Sequence, residues 1–369
     1  MNRSQEFEIK CERVRRFLSE NGLDGVVLSR TDNFAWLGCG ADSVVNSAGE
    51  SGVGTLVAAG DSVALVANNI ETERLMTEEL AGLGISRTVT FPWHNPAERD
   101  EKILDLIGSR SFVSDNGAGG LPPCPAGFES LRFQLTESEI ERYIAVSLDT
   151  NAAMEAAARA VEHGMAEADV AALVSAEHRA RGLLPIVVLV AADDRIRRWR
   201  HPLPKHEPVE QYVMMVVCAR RQGLVAAMTR FVHFGPMPRD LARRHRAVCE
   251  VDAAMIAATR PGRTAAEVFG AAQTAYEKAG FPGEWQYHHQ GGAIGYQPRE
   301  YIAHATCAQP VVSDQAFAWN PSICGTKSED TILVHEDGFE LLTSPSDAWP
   351  VLKVEAGGQV IPRANMLVK

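Results

Sequence analysis

The sequence predicts an α+β protein of two domains, the second of which is internally duplicated. First, its 369 residues exceed the usual size of one domain. Second, short β-branched runs alternate with helical segments over the first third of the chain. Third, the stretches that begin at Gly164 and Gly262 resemble each other, and each is closed by a glycine at the same spacing, Gly182 and Gly280.

The first domain is predicted over residues 1–134 as an α/β unit. It opens with a helix rich in Glu and Arg, followed by strand-like runs at Gly25–Ser29, Gly54–Ala59 and Val63–Ala67. The most proline-rich stretch of the chain, Leu121–Gly127, is typical of a connector. We therefore expect the chain to enter a second structural unit soon after this stretch.

The second domain is predicted over residues 135–369. Thr136 and Glu139 have the spacing of a capping box, which predicts a helix from there to about His163. A second helix is expected to end at Gly182, followed by an apolar strand over Leu184–Val190. Because the repeat contains two such helix–strand units, we expect a central sheet with a cleft between its halves.

Composition excludes several classes of function. Lys and Arg number 36 against 47 Asp and Glu, a net charge of -11, so no basic surface for nucleic acid or an anionic membrane is predicted. No apolar run approaches the ~20 residues of a membrane helix. The amino terminus lacks the pattern of a signal peptide, and seven cysteines without a Cys-x-x-Cys pair indicate free thiols. We therefore expect a cytoplasmic protein, and the acidic surplus raises the question of bound metal.

Several segments, taken in order, resemble the creatinase, prolidase and aminopeptidase P family, whose C-terminal domain has the pita-bread fold. The resemblance is carried by Thr31–Leu37, Arg260–Gly262 and Ser328–Val334. It implies a small creatinase-like N-terminal domain, a C-terminal pita-bread catalytic domain and a homodimer. In the peptidases of this family, five side chains hold two divalent cations.

The register of the metal-binding segment is set by four matches to the family pattern: Ala219, Gly223, Thr229 and Arg230. By this resemblance, the five ligand positions are occupied here by Val216, Ala227, Gly292, Asn320 and Glu329. Hard divalent cations need several oxygen or imidazole donors each. We therefore predict no dinuclear metal site and no cofactor, with one alternative left open: a different site built from His288, His289 and Cys218 or Cys324.

The resemblance is closer to creatinase, a member of the family that works without metals and has an arginine at the position of Arg299. It implies that His201, in Arg-His-Pro-Leu-Pro, transfers protons and that Arg299 binds a substrate carboxylate. From the residues themselves, imidazole titrates near neutrality and guanidinium offers a planar fork of donors. The alternatives are a surface histidine in a polar loop and a solvated arginine paired with Glu300.

Other candidate residues surround these two. Glu329 is predicted to be a catalytic polar anchor, and its alternative is a structural ion pair with Lys327. Substrate contacts are predicted for Arg299, His288, Tyr296, Lys327 and Thr229. Thr229 stands where creatinase has the carboxylate for its guanidinium substrate, so creatine is not the expected substrate. Small residues at the lost ligand positions predict a larger, more apolar pocket.

Three functions are compatible with these residues. The leading hypothesis is a metal-independent hydrolase that cleaves a C–N bond of a small carboxylate-bearing molecule, with a lyase reaction in the same pocket as a variant of it. The second is a metal-dependent Xaa-Pro peptidase. The third is a non-catalytic binding protein, because pita-bread domains without metals also bind other proteins.

Overall fold

The computed structural model describes residues 1–369, which divide into two compact units, 1–140 and 141–369. Helices and strands are mixed in both units, which confirms the predicted α+β class. None of the helices combines the length and apolar character needed to cross a membrane.

The first unit is a five-stranded sheet with helices packed against it. The elements are α1 (Arg3–Glu20), β1 (Gly25–Arg30), α2 (Thr31–Leu37), β2 (Ser51–Ala59), β3 (Ser62–Asn68), α3 (Thr72–Arg74), β4 (Ile85–Phe91), α4 (Ala97–Ile107) and β5 (Phe112–Ser114). The strands have the order β4-β3-β2-β1-β5, and the β3–β4 and β1–β5 pairs are parallel. A core of branched and aromatic side chains, including Val27, Ile103 and Phe112, covers the sheet.

The second unit contains five helices and thirteen strands. Its helices are α5 (Glu137–Ala160), which begins before the division, α6 (Glu167–Arg179), α7 (Asp194–Arg198), α8 (Arg239–Ala258) and α9 (Ala265–Lys278). Its strands are β6 (Leu184–Ala192), β7 (Tyr212–Arg221), β8 (Leu224–His233), β9 (Gly291–Ile294), β10 (Tyr301–Ile302), β11 (Gln315–Trp319), β12 (Ser322–Ile323), β13 (Thr326–Lys327), β14 (Asp330–His335), β15 (Gly338–Leu341), β16 (Val351–Ala356), β17 (Gln359–Ala364) and β18 (Leu367–Val368). They form a four-stranded sheet, β18-β8-β7-β6, a five-stranded sheet, β10-β9-β11-β14-β15, and two hairpins, β12-β13 and β16-β17.

The capping box predicted at Thr136 is present. The Thr136 backbone N–H donates to Glu139 Oε2 at 2.7 Å, and the Glu139 N–H donates to Thr136 Oγ1 at 3.3 Å. These two bonds satisfy backbone donors at the start of α5 that no helical carbonyl could reach.

The predicted duplication is visible in matching turns before α6 and α9. The N–H of Gly164 donates to the carbonyl of Val209 at 2.9 Å, and the N–H of Gly262 donates to that of Val311 at 3.0 Å. Both glycines have positive φ, +82° and +85°, a region that residues with a side chain rarely adopt. The equal spacing in the sequence therefore reflects two equivalent turn–helix units.

The two sheets of the second unit meet at the segment that carries Glu329. The N–H of Thr229 in β8 donates to the Glu329 carbonyl at 3.1 Å, and the Ala227 N–H donates to Thr331 Oγ1 at 2.8 Å. Glu329 lies directly before β14, so these bonds fix its side chain relative to β7 and β8.

A buried ionic network anchors the residues on either side of Glu329. Ser328 donates to Asp252 at 2.5 Å, and Asp330 accepts from Arg230 at 2.9 Å and from Arg363 at 2.7 Å. All these groups are buried, so each charge depends on its partner in the network.

Candidate active site

One face of the β7–β8 pair forms the floor of the site. Val216 is paired with Thr229 and Cys218 with Ala227, and strand alternation places these four side chains on one face of the sheet. Only Thr229 and the Cys218 thiol are polar, and burial raises the pKa of Cys218 to about 11, so the thiol is protonated at neutral pH. Two of the five family ligand positions, those of Val216 and Ala227, thus lie on a largely apolar surface.

Glu329 faces this floor and is held by three donors. Its Oε2 lies 2.7 Å from Lys327 Nζ and accepts from Thr229 Oγ1 at 2.7 Å, while its Oε1 lies 3.1 Å from Arg299 Nη2. Burial alone would raise the pKa of Glu329, but Lys327 and Arg299 lower it to about 2. The carboxylate is therefore ionised and paired with two cations.

Arg299 has both a structural partner and an unused donor. Its Nη1 donates to the Pro298 carbonyl at 2.6 Å and its Nη2 donates to Glu329, whereas its buried Nε–H has no hydrogen-bond partner. Nearby, Glu300 Oε1 accepts from the backbone N–H of Tyr296 at 3.0 Å, and Tyr296 is only 2% exposed. One N–H of the Arg299 guanidinium group is therefore buried without an acceptor.

Three histidines, His201, His288 and His289, form what we call the imidazole cluster. The Nε2 atoms of His201 and His288 are 3.0 Å apart, and ring nitrogens of all three lie within 4.8 Å of one another. His288 is buried, His289 is half-buried and His201 is exposed. The structure thus joins two predicted residues, His201 and His288, to His289, which the sequence suggested only as a possible metal ligand.

The imidazole cluster is uncharged at neutral pH. Although His201 is exposed as a residue, partial desolvation of its ring, reinforced by Lys327 and Arg299, lowers its pKa, and Glu329 opposes this shift. Burial, Arg299 and Lys327 lower the pKa of His289 to about 4. Burial, Lys327 and Arg200 lower the pKa of His288 still further. Neutral imidazole is the form that can accept a proton.

Residues outside the predicted set position the cluster. Arg200 donates to Glu284 at 2.7 Å and to Ser322 at 3.2 Å, which fixes the chain beside His201. The buried Gln290 donates to the carbonyl of His288 and accepts from Tyr276 at 2.9 Å. No sequence pattern identified either residue: the partners of Arg200 lie 84 and 122 residues away along the chain, and Gln290 is a single polar residue that belongs to no motif.

Gly292 and Asn320, at the two remaining ligand positions, differ in the space and the donor atoms that they provide. A Cβ atom on Gly292 would collide with the carbonyl of Tyr301 and lie 3.0 Å from Cα of Ile302, both in β10. The prediction of extra space at the lost ligand positions is therefore wrong at Gly292, since a neighbouring strand fills that volume. Asn320 is buried, and its Oδ1 has no hydrogen-bond partner.

Comparison with known proteins identifies the fold and family. The chain is 21% identical to an Xaa-Pro dipeptidase of Pyrococcus furiosus over 349 residues, which cover 90% of this chain and 97% of that protein. It is 24% identical to an uncharacterized peptidase of Staphylococcus saprophyticus over 259 residues, 68% of this chain and 71% of that protein.

Solved structures agree over nearly the whole chain. An Xaa-Pro dipeptidase from Bacillus anthracis superposes with a TM-score of 0.78 at 16% identity, covering 98% of this chain and 100% of that one. The prolidase from Pyrococcus horikoshii gives 0.76 at 19% identity, covering 92% and 99%. These matches confirm the predicted pita-bread fold.

The sequence profile of metallopeptidase family M24 matches residues 144–336, more than half of the chain. This segment contains the β7–β8 floor, the imidazole cluster, Arg299 and Glu329. The match confirms the predicted family resemblance, and the chain belongs to metallopeptidase family M24.

Proposed function

We propose that this protein is a metal-independent, creatinase-like hydrolase that cleaves a C–N bond of a small carboxylate-bearing molecule, with His201 as general acid and base. One observation carries the proposal. Glu329 is the only acidic side chain at the five family ligand positions, and Lys327 and Arg299 already pair with it at 2.7 and 3.1 Å.

The residues at the ligand positions do not fit two hard divalent cations. Val216 and Ala227 have no donor atom, and Gly292 has neither a side chain nor room for one. This leaves the Asn320 amide and a carboxylate that is already neutralised, whereas such cations take several oxygen ligands each. Lys327 and Arg299, the two cationic side chains beside Glu329, supply positive charge where the name metallopeptidase implies metal ions.

His201 can carry the proton transfers of a hydrolysis. Because its pKa is lowered, the ring is neutral and can accept a proton from water as the water oxygen bonds to the reacting carbon. The proton then moves to the nitrogen as the C–N bond breaks. The ammonium group of Lys327 is a cationic donor that stabilises the negative charge developing on oxygen.

Polar groups around the floor provide contacts for the substrate. Arg299 is proposed to bind the substrate carboxylate through its unused donors. The unpartnered Oδ1 of Asn320 is suited to accept an N–H from the substrate, because a buried acceptor gains from a partner. Thr229 orients Glu329 through its hydroxyl group, and Tyr296 and Thr229 are the two further substrate contacts of the proposal.

A second candidate function is hydrolysis of Xaa-Pro peptides. It is supported by the family and by the Xaa-Pro dipeptidase of Pyrococcus furiosus, which aligns over almost its whole length. The two candidates differ in their need for metal.

Turnover by metal-stripped protein tests the proposal. The full-length protein is dialysed against a chelator, its metal content is measured by mass spectrometry, and it is assayed on N-acyl, ureido and guanidino acids and on Xaa-Pro dipeptides. We expect cleavage of an acid from the first group at a metal content far below one ion per chain. Turnover that appears only after stoichiometric Mn²⁺ or Co²⁺ is added would favour the peptidase instead.

A further inference from the structure

We infer that Glu284 is a positioning residue that couples His201 to Lys327. The proposed function, on which this inference rests for the roles of the two side chains, assigns the proton transfers to His201 and the stabilisation of negative charge to Lys327. Turnover then depends on the relative position of two groups that lie far apart in the sequence. The coupling itself is geometric, so spectroscopy tests it whether or not turnover is found.

His201 lies in a loop that holds its ring by few contacts. The residues two positions before and after it, Trp199 and Leu203, are more than half exposed, and His201 itself is exposed. The hydrogen bond of its ring joins it to His288, with 3.0 Å between the Nε2 atoms. The position of this ring therefore depends on how the neighbouring backbone is held.

Arg200, directly before His201, is held by Glu284. Its Nη2 donates to Glu284 Oε2 at 2.7 Å, and the two side chains are only 18% and 19% exposed, so solvent screens this ion pair weakly. The same oxygen accepts the backbone N–H of Cys324 at 3.1 Å. Cys324 lies in the turn between β12 and β13. One carboxylate oxygen thus binds both the loop of His201 and the β12–β13 hairpin.

A second contact reaches the strand that faces Lys327. Arg200 Nη1 donates to Ser322 Oγ at 3.2 Å, and Ser322 is paired with Lys327 in the β12–β13 ladder. The Cα atoms of paired antiparallel residues lie about 5 Å apart, so the two residues keep a fixed relative position. The hairpin thereby links Arg200 to the ammonium group beside Glu329.

Buried groups of α8 and α9 hold the hairpin independently of Glu284. The hydroxyl of Tyr276 in α9 accepts the backbone N–H of Ser322 at 2.9 Å. His245 Nδ1 in α8 lies 2.7 Å from Thr326 Oγ1. Because the hairpin has these further anchors, loss of Glu284 should displace the loop of His201 and leave the ion pair of Lys327 in place.

Histidine ¹⁵N NMR of the full chain tests the coupling. Glu284→Ala removes both hydrogen bonds of the carboxylate, and we expect it to shift the ring-nitrogen resonances of His201 and His288 as their mutual hydrogen bond is lost. The exposed His206 and His304 are internal controls and should not shift. Unchanged resonances of His201 and His288, or shifts of equal size in the two control histidines, would overturn the inference.

Turnover separates a positioning role from a purely structural one. On the N-acyl, ureido or guanidino acid that the unmodified protein cleaves, Glu284→Ala should lower kcat about 10²-fold, the effect of misplacing a reacting group by ~1 Å. Glu284→Gln should stay within about three-fold, because its amide oxygen can accept from both donors without the charge. KM should change far less than kcat, since Arg299 is untouched. Equal losses of kcat in the two variants would overturn the inference.

A matched control and a stability measurement complete the test. Glu177→Ala removes another ion pair of the second unit, with Arg181 at 2.6 Å, and should change neither the cluster spectrum nor kcat. The melting temperature of Glu284→Ala should stay well above that of Glu329→Gln, and an equal fall would show a structural role instead. If His201→Ala retains full turnover, the proposed function fails, while the spectrum of Glu284→Ala still decides the coupling.

Discussion

The Nζ of Lys327 lies 2.7 Å from Oε2 of Glu329, and both side chains are almost fully buried. Arg299 approaches the other carboxylate oxygen at 3.1 Å, so two cationic side chains flank one carboxylate. A buried charge that loses its partner is strongly destabilising. The arrangement therefore ties the stability of the second unit to the ionisation of Glu329.

Glu329→Gln should lower the free energy of unfolding by about 3–5 kcal/mol at pH 7, because it leaves Lys327 and Arg299 without their carboxylate. The folded-state pKa of Glu329 is about 2, below its ordinary 4.5. Its stabilisation is therefore complete above pH 4.5 and disappears as the pH falls towards 2. Urea unfolding from pH 7 to pH 2.5 should show the variant and the unmodified protein converging.

The exposed Glu336 provides the control for that comparison, since Glu336→Gln removes a carboxylate of the same segment from the surface. It should change the stability by well under 1 kcal/mol at every pH. A Glu329→Gln deficit that stays constant down to pH 2.5 would contradict the assigned ion pairing.

His201→Ala should lower kcat by about 10²–10⁴-fold, the range for loss of a general acid or base, while the melting temperature stays unchanged. The exposed His206→Ala, five residues away in the same loop, should keep full activity. Because the pKa of His201 is lowered, the acid limb of the kcat/KM profile should lie below pH 6.5. Retained turnover in His201→Ala would remove this residue from the mechanism.

The two copies of the repeat differ at the helix cap. Thr264 caps α9 through its side chain, whereas Ala166, the equivalent residue before α6, has a similar extended backbone but no side-chain cap. Thr264→Ala should therefore destabilise the protein by about 1 kcal/mol, and Ala166→Thr should stabilise it by about 0.5–1 kcal/mol. Chemical denaturation measures the free energy of unfolding of each variant. If both substitutions destabilise the protein, or both stabilise it, the two turns are not equivalent.

Local patterns in the sequence predicted much of the fold. The capping box at Thr136 and the paired glycines of the repeat, such as Gly164 and Gly262, involve residues a few positions apart, so their geometry follows from spacing. The alignment of the segment around Thr229 with the family pattern could likewise be read from that segment alone. The sequence also predicts an ion pair of Glu329 with Lys327 as the alternative to a catalytic role, and the structure shows this ion pair.

The rest of the site depends on contacts that no spacing encodes. His201 and His288 are 87 residues apart, and only the packing of their loops brings the rings to 3.0 Å. Arg200 and Gln290 are polar residues without a motif, and their roles depend on partners in other elements. At Gly292 the sequence indicated a missing side chain but could not indicate that β10 lies against the bare backbone.

Gly292 gives the sharpest test of whether the family ligand could be restored here. Because a Cβ would meet the main chain of β10, Gly292→Ala should destabilise the protein by about 1–3 kcal/mol, and Gly292→His should do at least as much without creating a metal site. Gly338, in β15 of the same sheet, has nothing within 4 Å of a Cβ, so Gly338→Ala should be nearly neutral. Thermal unfolding with and without Mn²⁺ measures both effects, and a stable Gly292→His variant that Mn²⁺ stabilises further would show that β10 yields and the ligand position remains usable.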